Sequence, residues 1–398
     1  MSVEKLKEAI GNNLSDSRRT SHGHILHRHV DIVVIALCSI ICGAEDFNDM
    51  ETFGNERKDF LKKFLELPNG IPDSDTFRRL FERLDPSELA NCLYEWLSSV
   101  RVNRPTVALD GKTIKGSGGA SQKARHIVSA FVAENQIVLG EVATDEKSNE
   151  ITAVPKLLDT IDVENAIVTA DAMSCQRAIT AKIAERKADY VLGLKGNQPE
   201  LHAAVELYFK SPPAHIEHLE CGPEKCHGRI ETRRCALVTD IGWLDTKGWT
   251  NLNGIAKIEK ETTDKNGTHR ETRYFITSLK SLEEFAGAAR KHWAIENNLH
   301  WCLDVVFRED ASRARKDNSP LNMNVLRKIA LSCLRKSNAK YKRLSFRKMM
   351  FMAALTKRNS LKLCWPREGR KQVSKKGQSQ QIALNWQHQT TPARAWQL

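Results

Sequence analysis

The chain has 398 residues, 41% of them apolar and 28% charged, with a formal net charge of +12 and a sequence pI of about 9.2. That length holds two or three domains and a substantial core, and that composition is of an ordinary soluble globular protein, which excludes a disordered or fibrous chain. A membrane span is excluded too: the longest apolar run, residues 30–44, contains Asp31 and falls short of the roughly 20 residues a span needs.

The basic balance favours a polyanionic partner, nucleic acid before a membrane surface. It is uneven. Residues 308–398 hold 22 Lys and Arg against four acids (Glu309, Asp310, Asp317 and Glu368), so the residues before them carry a net −6. A block of like charge reads as a phosphate-binding surface or as a solubilising tail. The ten cysteines follow no repeating spacing, and no secretory signal opens the chain. They are expected to be reduced thiols.

Residues 1–100 read as helical. The run 30–44 is a buried helix. Asp73, Ser74 and Thr76 supply a helix start, Phe77, Leu80, Phe81 and Leu84 follow at helical spacing, and a further helix begins at Pro86. After Pro105 the texture changes. Residues 106–109 are a short apolar run ending at Asp110 and Gly111. Strand-like runs follow at 126–133 and 136–142, then a helix over 151–160. Residues 166–170 form a second short apolar run, again ending in an acid, Asp171. A helix over 176–187 and a third run at 190–194 complete an alternation that indicates a sheet covered on both faces. Asn197, Pro199 and Glu200 form a helix start with Asn197 as cap. Residues 211–280 are β-rich. Long helices are expected over 282–307 and 321–336, and from about residue 360 the chain is polar and expected to be poorly ordered.

Asp110 and Asp171 share one context, the end of a short buried strand, which is where ligands bind in open α/β sheets. Acid oxygens suit Mg²⁺, and two such ions can clamp the oxygens of a phosphoryl displacement. The third candidate is Glu296, in a helix where His292, Glu296 and His300 lie four apart along one face. A capped strand end and a helix salt bridge are the plain alternatives. Lys195 and Asn197 open a helix after a strand, a site favourable to phosphate. Lys112 and Lys115 lie just past Asp110. His227, Arg229, Glu231 and Arg233 alternate, so a strand puts all four on one face, either to hold DNA backbone or as a cross-strand ion-pair ladder. Cys221, Cys226, His227 and Cys235 lack the short paired spacing of a convincing zinc site.

Six segments in one order carry a resemblance: IPDSDTF at 71–77, ALDGKT at 108–113, TADA at 169–172, LKGNQ at 194–198, HGRIETR at 227–233 and HWAIENNLHWCLD at 292–304. Together they resemble the H-repeat-associated transposases of bacterial insertion sequences. The resemblance implies an α/β fold: an RNase H-like catalytic domain over 101–358, interrupted by the β-rich insertion, preceded by a small all-α domain over 1–100 and followed by a basic tail over 359–398. It assigns Asp110, Asp171 and Glu296 as the metal-binding catalytic acids of a DDE transposase, with Mg²⁺ or Mn²⁺ as cofactor. The implied partners are double-stranded DNA, namely terminal inverted repeats and target, gripped by a homo-oligomer in the bacterial cytoplasm, at the nucleoid. Lys112, Lys115, Lys195, Asn197, Arg229, Arg233 and His292 are the candidate DNA contacts. Of the Tyr, Arg, Glu and Lys signature of the broader class only the Glu is kept: Ala289, His292 and Leu303 occupy the other positions. A nuclease on the same fold and a non-cutting DNA-binding remnant are the rival readings.

Overall fold

The computed structural model describes residues 2–18, 25–97, 102–119, 122–144, 150–212, 216–226, 228–338 and 344–355. The tail expected over 359–398 lies outside them, as does His227.

The N-terminal region is helical: α1 (Val3–Asn13), α2 (His29–Ile41), α3 (Phe47–Glu56), α4 (Lys58–Leu61), α5 (Ser74–Arg83) and α6 (Pro86–Leu97). The apolar run is α2, buried from Val30 to Ile41 with Asp31 included, and burial raises the Asp31 carboxyl above its usual range. Asp73 caps α5 by accepting the Thr76 N–H at 2.7 Å, and the helix buries Phe77, Leu80 and Phe81.

One nine-stranded sheet follows, in the order β3-β2-β1-β4-β5-β9-β8-β7-β6. β1 (Thr106–Ile114), β2 (Arg125–Val132) and β3 (Ile137–Ala143) form an antiparallel meander. β4 (Ile167–Ala170) and β5 (Asp189–Leu194) continue from β1 in parallel. This is the RNase H-like arrangement. β6 (His218–Cys226), β7 (Arg229–Val238), β8 (Gly254–Asp264) and β9 (Gly267–Thr277) are the β-rich insertion, joined to the sheet by β9 running antiparallel to β5.

Both faces are covered. α7 (Glu150–Thr160), α8 (Arg177–Glu185) and α9 (Pro199–Lys210) pack on one, sharing a core with Val107, Leu109, Val168 and Leu192. On the other lies α10 (Leu282–His292), which continues after Trp293 as two π-helical turns, Ile295–His300 and Cys302–Val306. α11 (Ser319–Asn338) and α12 (Phe346–Leu355) follow. Ala108, Phe131, the π turns and α11 share a single apolar core with the N-terminal helices. Among the described residues there is no disulfide, and no helix is long and apolar enough to cross a membrane.

Three local expectations are corrected. β1 does not stop before Asp110 but runs five residues beyond Leu109, because β2 still pairs with it out to Ile114. The helix expected over 282–307 is α-helical only to His292 and then winds more widely. Asn197 does not cap α9: its Nδ2 donates to the Ala172 carbonyl at 2.6 Å, and Gln198 stands at the cap position with its side chain turned away, Nε2 donating to the Cys175 carbonyl at 3.0 Å.

Candidate active site

The pairing of β1 with β4 fixes where the acids stand. Residues 106–109 lie against residues 167–170, and there β4 ends while β1 runs on against β2 alone. Asp110 and Asp171 each follow the last paired row, Leu109 with Ala170, so they stand side by side at the carboxyl end of the parallel strands. Alternation along a strand sends Val107 and Leu109 to one face and Ala108, Asp110 and Lys112 to the other. The first two are packed with α7 and α8. Ala108 shares its core with Ile295, Leu299 and Leu303, so Asp110 looks toward the helix that carries Glu296.

Each Asp is fixed by backbone. Asp110 Oδ1 accepts the Gly111 N–H at 2.9 Å, and Oδ2 lies 3.4 Å from His300 Nδ1. Asp171 Oδ1 accepts the N–H groups of Met173 and Ser174 at 3.0 and 3.4 Å, capping a single 3-10 turn. Glu296 is exposed on the first π turn. Burial pushes the Asp110 carboxyl up to about 7; the Gly111 N–H opposes that, and the charges of Glu150, Glu296 and Asp171 add to it. Asp171 is raised by burial and by Glu150, against its two N–H partners and Lys195. Glu296 is raised by desolvation, with Arg273 opposing.

Glu150, the first residue of α7, thus belongs with the three expected acids. Its Oε1 is 2.9 Å from His126 Nε2, and His126 Nδ1 is 3.0 Å from Thr113 Oγ1. The pair leans over Gly111 so closely that a Cβ there would meet Glu150 Oε1 at 2.1 Å and His126 Nε2 at 2.5 Å. Sequence reasoning missed both residues. An acid at a helix start reads as a dipole partner, and nothing in the spacing links residue 150 to residue 110.

The expected cations are placed differently from one another. Lys195 is exposed and close enough to Asp171 for its charge to act there. Lys115 is exposed, 3.1 Å from Asp310. Lys112 is turned inward, 2.7 Å from Asp304 and 3.4 Å from the fully buried Glu309. Arg229 and Arg233 lie on β7, three strands from β5, and hold the buried Glu231 together with Lys260. His292 is not presented as a phosphate cation. Its Nδ1 is 3.0 Å from Thr169 Oγ1, and burial pushes the ring down to about 4, so it stays neutral. Beside it, the Arg273 guanidinium stacks over Trp293 at 4.4 Å.

Among the described residues no three acid, His or Cys side chains already close around one point as a formed metal cage does. The donor chemistry nevertheless fits a hard divalent cation. The converging groups offer carboxylate oxygens, and their mutual charge raises their hold on protons, a cost that a cation relieves.

Comparison with known proteins gives a consistent picture. Residues 12–97 match the family model described as DDE_Tnp_1-associated, and residues 101–333 match that described as Transposase DDE domain. The chain is 38% identical over 351 residues to "Putative transposase YncI" of Escherichia coli O157:H7, covering 84% of this chain and 88% of that protein. It is 35% identical over 371 residues to "H repeat-associated putative transposase YhhI" of Escherichia coli K12, covering 89% of this chain and 96% of that protein. "Putative protein YbfL" of the same strain is 34% identical over 371 residues, with the same coverage.

Proposed function

The chain belongs to the DDE transposase family, and from that premise we propose that it cuts DNA at the ends of an insertion sequence and joins the freed ends to a target. Asp110, Asp171 and Glu296 are the catalytic acids in this reading. The observation that carries it is the register of β1 on β4, which sets Asp110 beside Asp171 on the side of the sheet crossed by the Glu296 helix.

A Mg²⁺ or Mn²⁺ ion held by these acids would supply positive charge to the phosphoryl group and acidify the attacking water. The chain's own groups do the rest. The N–H groups of Gly111, Met173 and Ser174 hold the two Asp carboxylates in fixed orientation. Lys195 meets the DNA backbone beside Asp171, and Asn197 keeps its loop against Ala172. Water gives the first cut, and the 3′-hydroxyl so released is the nucleophile of the joining step. The net +12 favours duplex DNA as partner, with Lys115, Arg229 and Arg233 as further backbone contacts, and a multimer would bring two terminal inverted repeats together.

The test is cleavage of a duplex bearing the element's native ends. Mg²⁺ or Mn²⁺ should support cutting and Ca²⁺ should not, because Ca²⁺ lacks the tight octahedral geometry of Mg²⁺. Asp110→Ala, Asp171→Ala and Glu296→Ala should each abolish cutting and leave DNA binding intact. A Glu296→Ala protein that cuts at the normal rate removes that residue from the site. A native protein that binds these ends and cuts with neither metal overturns the reading in favour of a non-cutting DNA binder.

A further inference from the structure

The helix bearing Glu296 carries polar residues four apart: His292, Glu296, His300 and Asp304. Three of them touch the sheet. His292 Nδ1 lies 3.0 Å from Thr169 Oγ1 on β4, His300 Nδ1 lies 3.4 Å from Asp110 Oδ2 on β1, and Asp304 Oδ1 accepts from Lys112 Nζ at 2.7 Å, two residues further along β1. Glu296 stands between the first two contacts and is exposed.

The winding of the helix makes this possible. Residues four apart on an α-helix drift by about 40°, so twelve residues drift about a third of a turn. On a plain α-helix, Asp304 would turn away from the sheet that His292 touches. The two π turns wind more widely and each takes in an extra residue, which brings His300 and Asp304 back to the same face. π turns of this kind recur at functional sites.

We propose that His292, His300 and Asp304 are positioning residues that lock this helix in register on β4 and β1, and that His300 is the element that sets Glu296 against Asp110 for a shared divalent cation. The proposal rests on the reading of Asp110, Asp171 and Glu296 as metal-binding acids. His300 is suited to the task because it reaches Asp110 from the same helical stretch that carries Glu296. Its Nε2 is buried with no hydrogen-bond partner among the described residues, so Asp110 is the polar group that its ring meets.

The experiment measures Mn²⁺ binding to the full chain by electron paramagnetic resonance, without DNA, alongside Mg²⁺-dependent cleavage and thermal melting. His300→Ala should weaken Mn²⁺ binding by about 10-fold or more, as loss of a group that orients a ligand does, and should slow cleavage in step. His300→Asn, whose amide can stand where the imidazole Nδ1 stands beside Asp110, should recover most of both. Native-like Mn²⁺ affinity in His300→Ala overturns the proposal. So does a His300→Asn protein that regains its melting temperature but not its metal affinity, since a polar atom beside Asp110 would then not be what sets the site. If His300→Ala does not fold, His300→Leu, which fills the space without a polar atom, carries the comparison: weakened Mn²⁺ binding is expected, and native-like affinity in a folded His300→Leu protein overturns the latch. Should Asp110→Ala bind Mn²⁺ as well as the native chain, the metal-site reading itself fails and the latch falls with it, an outcome distinct from a failure at His300 alone.

Discussion

Asp110 concentrates the electrostatics of the site. Its carboxyl is pushed up to about 7 by burial and by three neighbouring acids, from 3.8 in the unfolded chain. A folded-state value above the unfolded one means that the native fold holds the proton more tightly. Ionised Asp110 therefore destabilises the metal-free fold in full above about pH 7, and the penalty fades as pH falls toward 4. His292 and His300 act in the opposite sense: burial first of all pushes them to about 4 and about 3, so their contribution is lost as pH falls below the ordinary imidazole value. The native protein's pH curve mixes these effects, and a difference between proteins isolates one. Asp110→Asn should melt above the native protein by roughly 3–6 °C at pH 8, and the gap should narrow at pH 5. Added Mg²⁺ should raise the melting temperature of the native chain at pH 8 more than that of the variant. A gap that does not change with pH, measured by calorimetry in chelator, would mean that Asp110 is already ionised without penalty. The acids themselves were legible because each ends an apolar run or sits in a recognisable motif. Their fourth neighbour was not, since Glu150 reaches the site only through tertiary packing against His126 and Gly111.

At the scale of elements, most strands and helices follow from apolar periodicity and from start residues such as Asp73, which accepts an N–H in the first turn of its helix. The departures have a common cause: partners remote in sequence. β1 is longer than its apolar run because β2 keeps pairing with Gly111, Lys112 and Thr113. The stretch 292–304 spaces its polar residues by four, which over two turns reads as one face of an α-helix but over three drifts off it, and contacts with Thr169, Asp110 and Lys112 accompany the wider winding. Asn197 reads as a cap, yet the Ala172 carbonyl takes its amide. A second junction lies past β1, where the 3-10 turn Lys115–Ser117 meets the turn Glu309–Ala311. A Cβ on Gly116 would stand 2.6 Å from the Ser312 carbonyl oxygen, 3.0 Å from that of Glu309 and 3.1 Å from that of Asp310. These are backbone atoms and cannot swing aside. Gly116→Ala should therefore cost about 1–3 kcal/mol, visible as a lower urea midpoint at unchanged slope, and should loosen the hydrogen bond from Arg315 to the Gly116 carbonyl. An unchanged midpoint would show that the two turns part without loss.

Across the whole molecule, the N-terminal helices and the late helices form one body of packing. α2, α5 and α6 share their core with α11, and the buried Lys328 of α11 reaches Glu141 of β3, whose carboxylate also accepts from Tyr94 of α6. Charge is distributed on a different plan. The net −6 of residues 1–307 contrasts with the +18 of residues 308–398, and much of that excess lies past the described helices: from Arg358 onward there are eight Lys and Arg and a single acid, Glu368. Arg327 and Lys328 are buried in ion pairs within the fold and are not available to a polyanion, whereas the basic residues after 357 are set in a polar sequence rich in Gln, Lys and Arg. Each phosphate contact releases a counterion, so affinity for DNA falls with salt by a log–log slope of about −0.9 per contact. A chain ending at residue 357 should bind duplex DNA more weakly and with a shallower slope, while its melting temperature stays the same. The difference in slope between the two chains measures how many phosphates the tail neutralises, with its eight Lys and Arg as the ceiling. An unchanged slope would assign the tail to solubility alone. A fall in melting temperature would mean instead that the tail packs on the core, through apolar residues such as Leu361, Leu363 and Trp365.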